Sequence, residues 1–195
     1  MPGIGPLREF VQAMTALVDA SPDDEPLLLD RGSALLRELV ARDAWLPDDF
    51  ARPSDDGYRQ YLLHCDPRER FCVVSFVWQP GQRTPLHDHT TWGLVAPLRG
   101  EEVCQEFKNR AGGFVQTGEH LVRPGDVDRV SPTIGDVHIV SNASTRTAIS
   151  IHVYGANIGA VRRHVFDAAS GSAREFVSGY HNAVVPNLWD RATAR

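Results

Sequence analysis

Hydrophobic positions in the first fifty residues recur at helical spacing. Leu7, Phe10, Val11, Met14 and Leu17 fall on one face of a 3.6-residue period. A second segment, Glu25 to Ala44, carries Leu27, Leu28, Leu35, Leu36, Leu39 and Val40. Gly32 inside it predicts a break between two shorter helices. The stretch Ser21-Pro22-Asp23-Asp24-Glu25 predicts a loop feeding a helix start, and Pro47-Asp48-Asp49 closes the region. After Pro53-Ser54-Asp55-Asp56-Gly57 the pattern changes. Short runs rich in Val, Ile, Phe and Tyr appear, at Tyr58–His64, Phe71–Trp78, Thr91–Leu98, Glu102–Lys108, His138–Val140, Ala148–Tyr154 and Val161–Phe166. Many short strands with turn residues between them predict a mainly β sandwich or barrel. No long helices alternate with them, which argues against a parallel α/β sheet.

The expected organisation is a single domain over 1–195. A helical segment covers 1–50, the β core spans 58–167, and an extension over 168–195 lies against the barrel with Trp189 as an apolar anchor. The 195 residues suffice for one hydrophobic core, with 42% hydrophobic and 23% charged residues. The net charge of −5 gives no general nucleic-acid surface. The apolar runs are too short to cross a bilayer, and the start Met1-Pro2-Gly3-Ile4-Gly5-Pro6 lacks the pattern of a signal peptide. A cytoplasmic protein without a nucleic-acid or membrane partner is therefore expected. Cys65, Cys72 and Cys104 form no disulfide framework and no CxxC pair, so reduced structural thiols are expected.

The chemistry-bearing pattern is Gly81-Gln82-Arg83-Thr84-Pro85-Leu86-His87-Asp88-His89. Residues two apart on a strand share a face, about 7 Å apart along the chain, so His87 and His89 can converge on one ion. Gly135-Asp136-Val137-His138-Ile139-Val140-Ser141-Asn142 supplies a third histidine from another strand. Three neutral imidazoles hold a divalent metal and leave positions open for chemistry. Imidazole suits zinc, copper, iron and nickel alike. His64, His120, His164 and His181 have no such partners and are expected to be structural.

These stretches resemble the two cupin motifs. Gly81, His87, His89 and Gly100 match the first, and Gly135, His138 and Asn142 match the second. The motif's glutamate position falls at Gly93, so the resemblance implies a three-histidine site on a cupin (double-stranded β-helix, or jelly-roll) barrel with N-terminal α-helices.

Ser150-Ile151-His152-Val153-Tyr154 places three polar side chains on one face of a strand. If buried, they must bond one another, because each orphaned polar group costs about 1–3 kcal/mol. A three-histidine cupin with a Ser-x-His-x-Tyr strand resembles the thiol dioxygenases, the family of cysteine dioxygenase, from about Tyr58 to Phe166. The resemblance implies iron(II) on His87, His89 and His138, and an outer-sphere triad of Ser150, His152 and Tyr154. It also implies a small thiol carboxylate and dioxygen as substrates. The family's crosslinking cysteine is Gly93 here. Its carboxylate-binding arginine falls at Gln60, with Arg59 a rival by one position; the glutamine form resembles the bacterial 3-mercaptopropionate dioxygenases, which implies 3-mercaptopropionate as the thiol. The segment Gly155–Arg163 resembles the one that supplies an arginine in those enzymes, with Arg163 at the matching position. Alternation puts Arg163 on the face of Val161 and Val165, where a cation needs an anionic partner. Cysteine or mercaptosuccinate as substrate, a zinc or nickel isomerase or hydrolase, and a ligand-binding cupin are the alternatives.

Overall fold

Two α-helices and ten strands follow one another in the described residues, 3–190, of the computed structural model. Residues 1–2 and 191–195, the ends of the expected helical segment and C-terminal extension, lie outside them. Helix α1 (Gly5–Ala20) buries Leu7, Phe10, Val11, Met14 and Val18. Helix α2 (Glu25–Val40) is capped by Asp24, whose side chain accepts the Leu27 N–H at 3.0 Å.

The expected break at Gly32 does not occur, because α2 runs through it. A Cβ at Gly32 would stand 2.8 Å from Leu94 Cδ1. The glycine therefore serves close approach of helix to sheet, and the surrounding leucines keep the helix continuous. A 3-10 turn at Asp48–Phe50 leads into the strands.

The strands are β1 (Arg59–Cys65), β2 (Cys72–Trp78), β3 (Gly93–Arg99), β4 (Glu102–Arg110) and β5 (Gly113–Val122). They continue with β6 (Asp128–Val130), β7 (His138–Asn142), β8 (Ala148–Tyr154), β9 (Arg163–Phe166) and β10 (Ala173–Phe176). One antiparallel sheet has the order β1-β2-β8-β3-β6. The helices cover its outer face, and Leu94, Ala96, Ile149, Ile151 and Val153 share a core with Leu7, Met14 and Leu36.

The opposite wall is assembled from β5-β4-β7 and β10-β9. The chain from 82 to 88 joins these pieces without forming a named strand. His87 bridges both His138 on β7 and Val165 on β9. His87 N–H donates to His138 O at 3.2 Å and His138 N–H returns a bond to His87 O at 3.1 Å. On the other side Phe166 N–H donates to Leu86 O at 2.9 Å. The histidine pair of the first motif thus sits in a linking segment, not on the regular strand that the spacing suggested.

The end of the chain also differs from expectation. β10 lies within the supposed extension and pairs with β9. Trp189 is 60% exposed and anchors nothing, while its neighbour Leu188 is buried. Leu188 also accepts Arg8 Nη1–H through its carbonyl at 3.2 Å. Among the described residues no helix is long and apolar enough to cross a membrane.

Candidate metal centre

His87, His89 and His138 present ring nitrogens that all lie within 4.8 Å of one another, and all three residues are buried. Each ring has its Nδ1 tied outward. His87 Nδ1–H donates to Pro85 O at 3.0 Å. His89 Nδ1–H donates to Asp136 Oδ1 at 2.8 Å. His138 Nδ1 stands 3.4 Å from Cys104 Sγ. This leaves the three Nε2 lone pairs for a shared cation, the arrangement by which outer partners fix tautomer and orientation. Burial, followed by the neighbouring His89, pushes His87 down to about 3. Burial likewise holds His138 well below the usual imidazole range. Neutral rings are what a metal requires. The donor set fits a divalent transition metal.

The loop carrying these rings is pinned from outside. Asp136 accepts the backbone N–H of His89 and of Thr90, each at 3.0 Å. Burial raises the Asp136 carboxyl, but the bonds from His89 and Thr90 outweigh it and hold it low. Asp88 accepts His164 N–H at 2.7 Å and His164 Nδ1–H at 2.8 Å. His164 is therefore a brace for the linking segment.

On β8, Ser150, His152 and Tyr154 form a buried chain. Ser150 Oγ lies 2.7 Å from His152 Nε2, and His152 Nδ1 lies 2.8 Å from the Tyr154 hydroxyl. Trp78 Nε1–H donates to Ser150 Oγ at 3.2 Å. In the tautomer with the proton on Nδ1, the serine hydroxyl donates to Nε2. In that tautomer Nδ1–H donates to Tyr154, which leaves the phenol proton free to face the cavity. Burial holds His152 neutral and raises the Tyr154 phenol. The His152 ring stacks on Phe76 at 4.0 Å, and Tyr154 stacks on His89 at 5.3 Å.

At the inner end of this chain lies Glu102 on β4, 1% exposed. Neither carboxyl oxygen has a hydrogen-bond partner. The nearby Ser150 hydroxyl and Trp78 indole pull the acid down, yet both are committed to other bonds, and burial prevails. The carboxyl is pushed up to about 7. The sequence assigned no role to Glu102, nor to Asp88 and Asp136, although these two lie inside the histidine motifs.

One cavity of about 420 Å³ joins the two walls, lined by all three histidines of the candidate centre, His152, Tyr154, Gln60 and Arg163. Arg163 is buried. Its Nη2–H donates to Ser178 Oγ at 2.8 Å, and its guanidinium carbon sits 4.7 Å over the Phe176 ring. Its Nε–H has no acceptor, and no carboxylate among the described residues pairs with it. Arg162 points outward to Glu175. Gln60 is buried and donates through Nε2–H to Gly179 O. Arg59 instead turns away toward Asp56 and Ser54. Register places Arg174 opposite Val165 and Phe176 opposite Arg163, so Arg174 also faces the cavity.

Gly93 pairs with Tyr154, and Cys104 lies on the far side of His138. His64 packs on Phe71, and His181 accepts the Gln60 N–H at 3.0 Å.

No family model matches the chain. Among solved structures it is similar to an oxalate oxidase in complex with the substrate analogue glycolate. The identity there is 17% over 53% of each chain, with a TM-score of 0.43. The chain spans about half the length of the oxalate oxidase chains it matches. A protein from Thermus thermophilus is 24% identical over 56% of this chain and 92% of that one, TM-score 0.45. A cupin-like protein from Thermotoga maritima is 22% identical over 68% and 90%, TM-score 0.44.

Proposed function

We propose that this chain is an iron(II)-dependent cupin thiol dioxygenase that converts a small thiol carboxylate, 3-mercaptopropionate in the first instance, to its sulfinate. One observation carries the reading. A buried arginine without a counter-ion among the described residues shares a cavity with three converging imidazoles and with the Ser150–His152–Tyr154 chain. A cation buried in that way is costly until an anion meets it, and a carboxylate offers the bidentate match to guanidinium.

His87, His89 and His138 would hold the iron, which supplies the redox centre where dioxygen and thiolate meet. The balance is R–SH + O2 → R–SO2H, so both oxygen atoms end on sulfur and no outside reductant enters. Arg163 would orient the carboxylate, and Gln60 lines the same wall. Tyr154, aligned by His152 and Ser150, would hold a proton at its hydroxyl against the reacting groups. Apolar Phe76, Val140 and Val165 in the lining limit water around them.

Cysteine would add an ammonium group. The acidic side chain lining the cavity is Asp56, which is exposed and paired with Arg59, so the lining favours a thiol without an amine. Arg174 favours mercaptosuccinate as a second reading, because it faces the cavity with no ion pair among the described residues and would meet a second carboxylate.

The test is aerobic turnover of iron-loaded protein with 3-mercaptopropionate, cysteine and mercaptosuccinate side by side. Oxygen uptake and sulfinate are both recorded. Oxygen consumption matched by 3-mercaptopropionate sulfinate is expected. No uptake with any thiol by a fully iron-loaded sample would sink the reading in favour of a non-redox or ligand-binding cupin.

A further inference from the structure

Cys104, His120 and Asp128 offer a sulfur, a ring nitrogen and a carboxylate oxygen within 4.8 Å of one another. They come from three strands, β4, β5 and β6. They lie by a separate pocket of about 150 Å³ lined by Cys104, Glu106, Asp128, Asp136 and His138. We propose that this cluster is a second metal site, for a divalent borderline-soft cation of the zinc class, on the opposite side of His138 from the large cavity.

Three observations argue for it. His120 Nε2 stands 3.2 Å from Asp128 Oδ2, while its Nδ1 faces Glu106 Oε1 at 3.6 Å. One ring nitrogen is thus turned to the cluster and the other to an orienting carboxylate, the usual support of a metal-bound histidine. The donors are thiolate, imidazole and carboxylate, a set that zinc accepts with one position left for water. The charge is also suitable. Asp128 and Glu106 flank the cluster, and a divalent ion would relieve their negative field. Binding would displace the thiol proton to solvent, as coordination does for thiols. Of the cations lining the pocket, Arg129 is held by Ser33 and Asp30. Lys108 is the remaining one.

Cys104 Sγ also faces His138 Nδ1. A thiolate there would accept the Nδ1–H more strongly than a thiol does, so the two sites would communicate through one imidazole ring.

The experiment is Co(II) titration of the metal-free full-length chain, followed by absorption and by metal content. Two equivalents are expected, the second with a thiolate-to-cobalt charge-transfer band in the near ultraviolet. Cys104→Ser should remove that band and one equivalent. His89→Ala should keep the band, because it disturbs the other centre alone. Because His120 is half exposed, His120→Ala tests ligation without threatening the fold, and it should weaken the second equivalent at least about tenfold. A single equivalent without the band, or an unchanged band in His120→Ala, overturns the proposal and leaves the three-histidine reading untouched, whereas a single equivalent with the band keeps this site and counts against the other.

Discussion

Gly93 and Tyr154 sit opposite each other on β3 and β8, and a Cβ on the glycine would lie 2.8 Å from the tyrosine Cδ1. Val130 Cγ2 crowds the same point at 2.9 Å. The tyrosine ring can occupy its place beside His89 because position 93 has no side chain. Gly93→Ala should therefore overpack this corner and cost about 1–3 kcal/mol. Denaturant unfolding would read the loss, and turnover should fall with it as Tyr154 is displaced.

Tyr154→Phe keeps the ring and removes the hydroxyl that His152 aligns. Turnover should fall about 10- to 100-fold, the scale for an outer partner of a metal site. Iron content should stay at wild-type level. If the variant instead loses its iron, the hydroxyl belongs to metal retention and not to the reaction.

Arg163→Leu separates binding from folding. A structural arginine would leave the protein destabilised on removal. A binding arginine that lacks a carboxylate partner leaves a folded chain about as stable as before, because the uncompensated charge that goes offsets the contacts with Ser178 and Phe176. We expect nearly unchanged stability without substrate. We also expect a fall in kcat/KM of about 30- to 150-fold, the equivalent of about 2–3 kcal/mol for a charge-assisted bond. Arg174→Ala should leave 3-mercaptopropionate turnover nearly intact and selectively raise the KM for mercaptosuccinate.

Glu102 makes stability depend on pH in a particular direction. Its folded value of about 7 lies above the ordinary 4.5, so the fold favours the protonated acid. Its contribution is complete below about pH 4.5 and is lost as pH rises through about 7. The loss amounts to at most about 3 kcal/mol for a shift of this size. Unfolding free energies measured from about pH 5 to 8 should show this decline in the wild type. In Glu102→Gln, which has no proton to lose, the slope should flatten.

Asp136→Asn weakens the acceptor behind His89 while preserving shape. Metal affinity should fall about 10- to 100-fold, as measured by competition with a chelator. Secondary structure should stay unchanged.

Much of the site was legible because its geometry is local. Strand alternation alone put Ser150, His152 and Tyr154 on one face, and β8 has the bounds that its apolar pattern outlined. Motif spacing pointed to the three histidines that the structure gathers. The less legible parts depend on distant contacts. Gly32 reads as a helix breaker until Leu94 is seen against it. Strands β5, β6 and β10 carry polar or short sequences, and pairing with β4, β3 and β9 makes them strands. Trp189 reads as an anchor because it is large, yet Leu188 has the inward position. Glu102, Asp88 and Asp136 are ordinary acids in sequence, and only the folded chain brings each to its neighbour.

The linking segment between β7 and β9 would give a bound metal a mechanical task as well as the proposed chemical one. His87 and His89 lie at the seam where two small sheets become one wall, and His138 lies across it. An ion held by all three would act as a clasp on that seam. A chelator would then also loosen that wall, and heat or protease would find its first opening there.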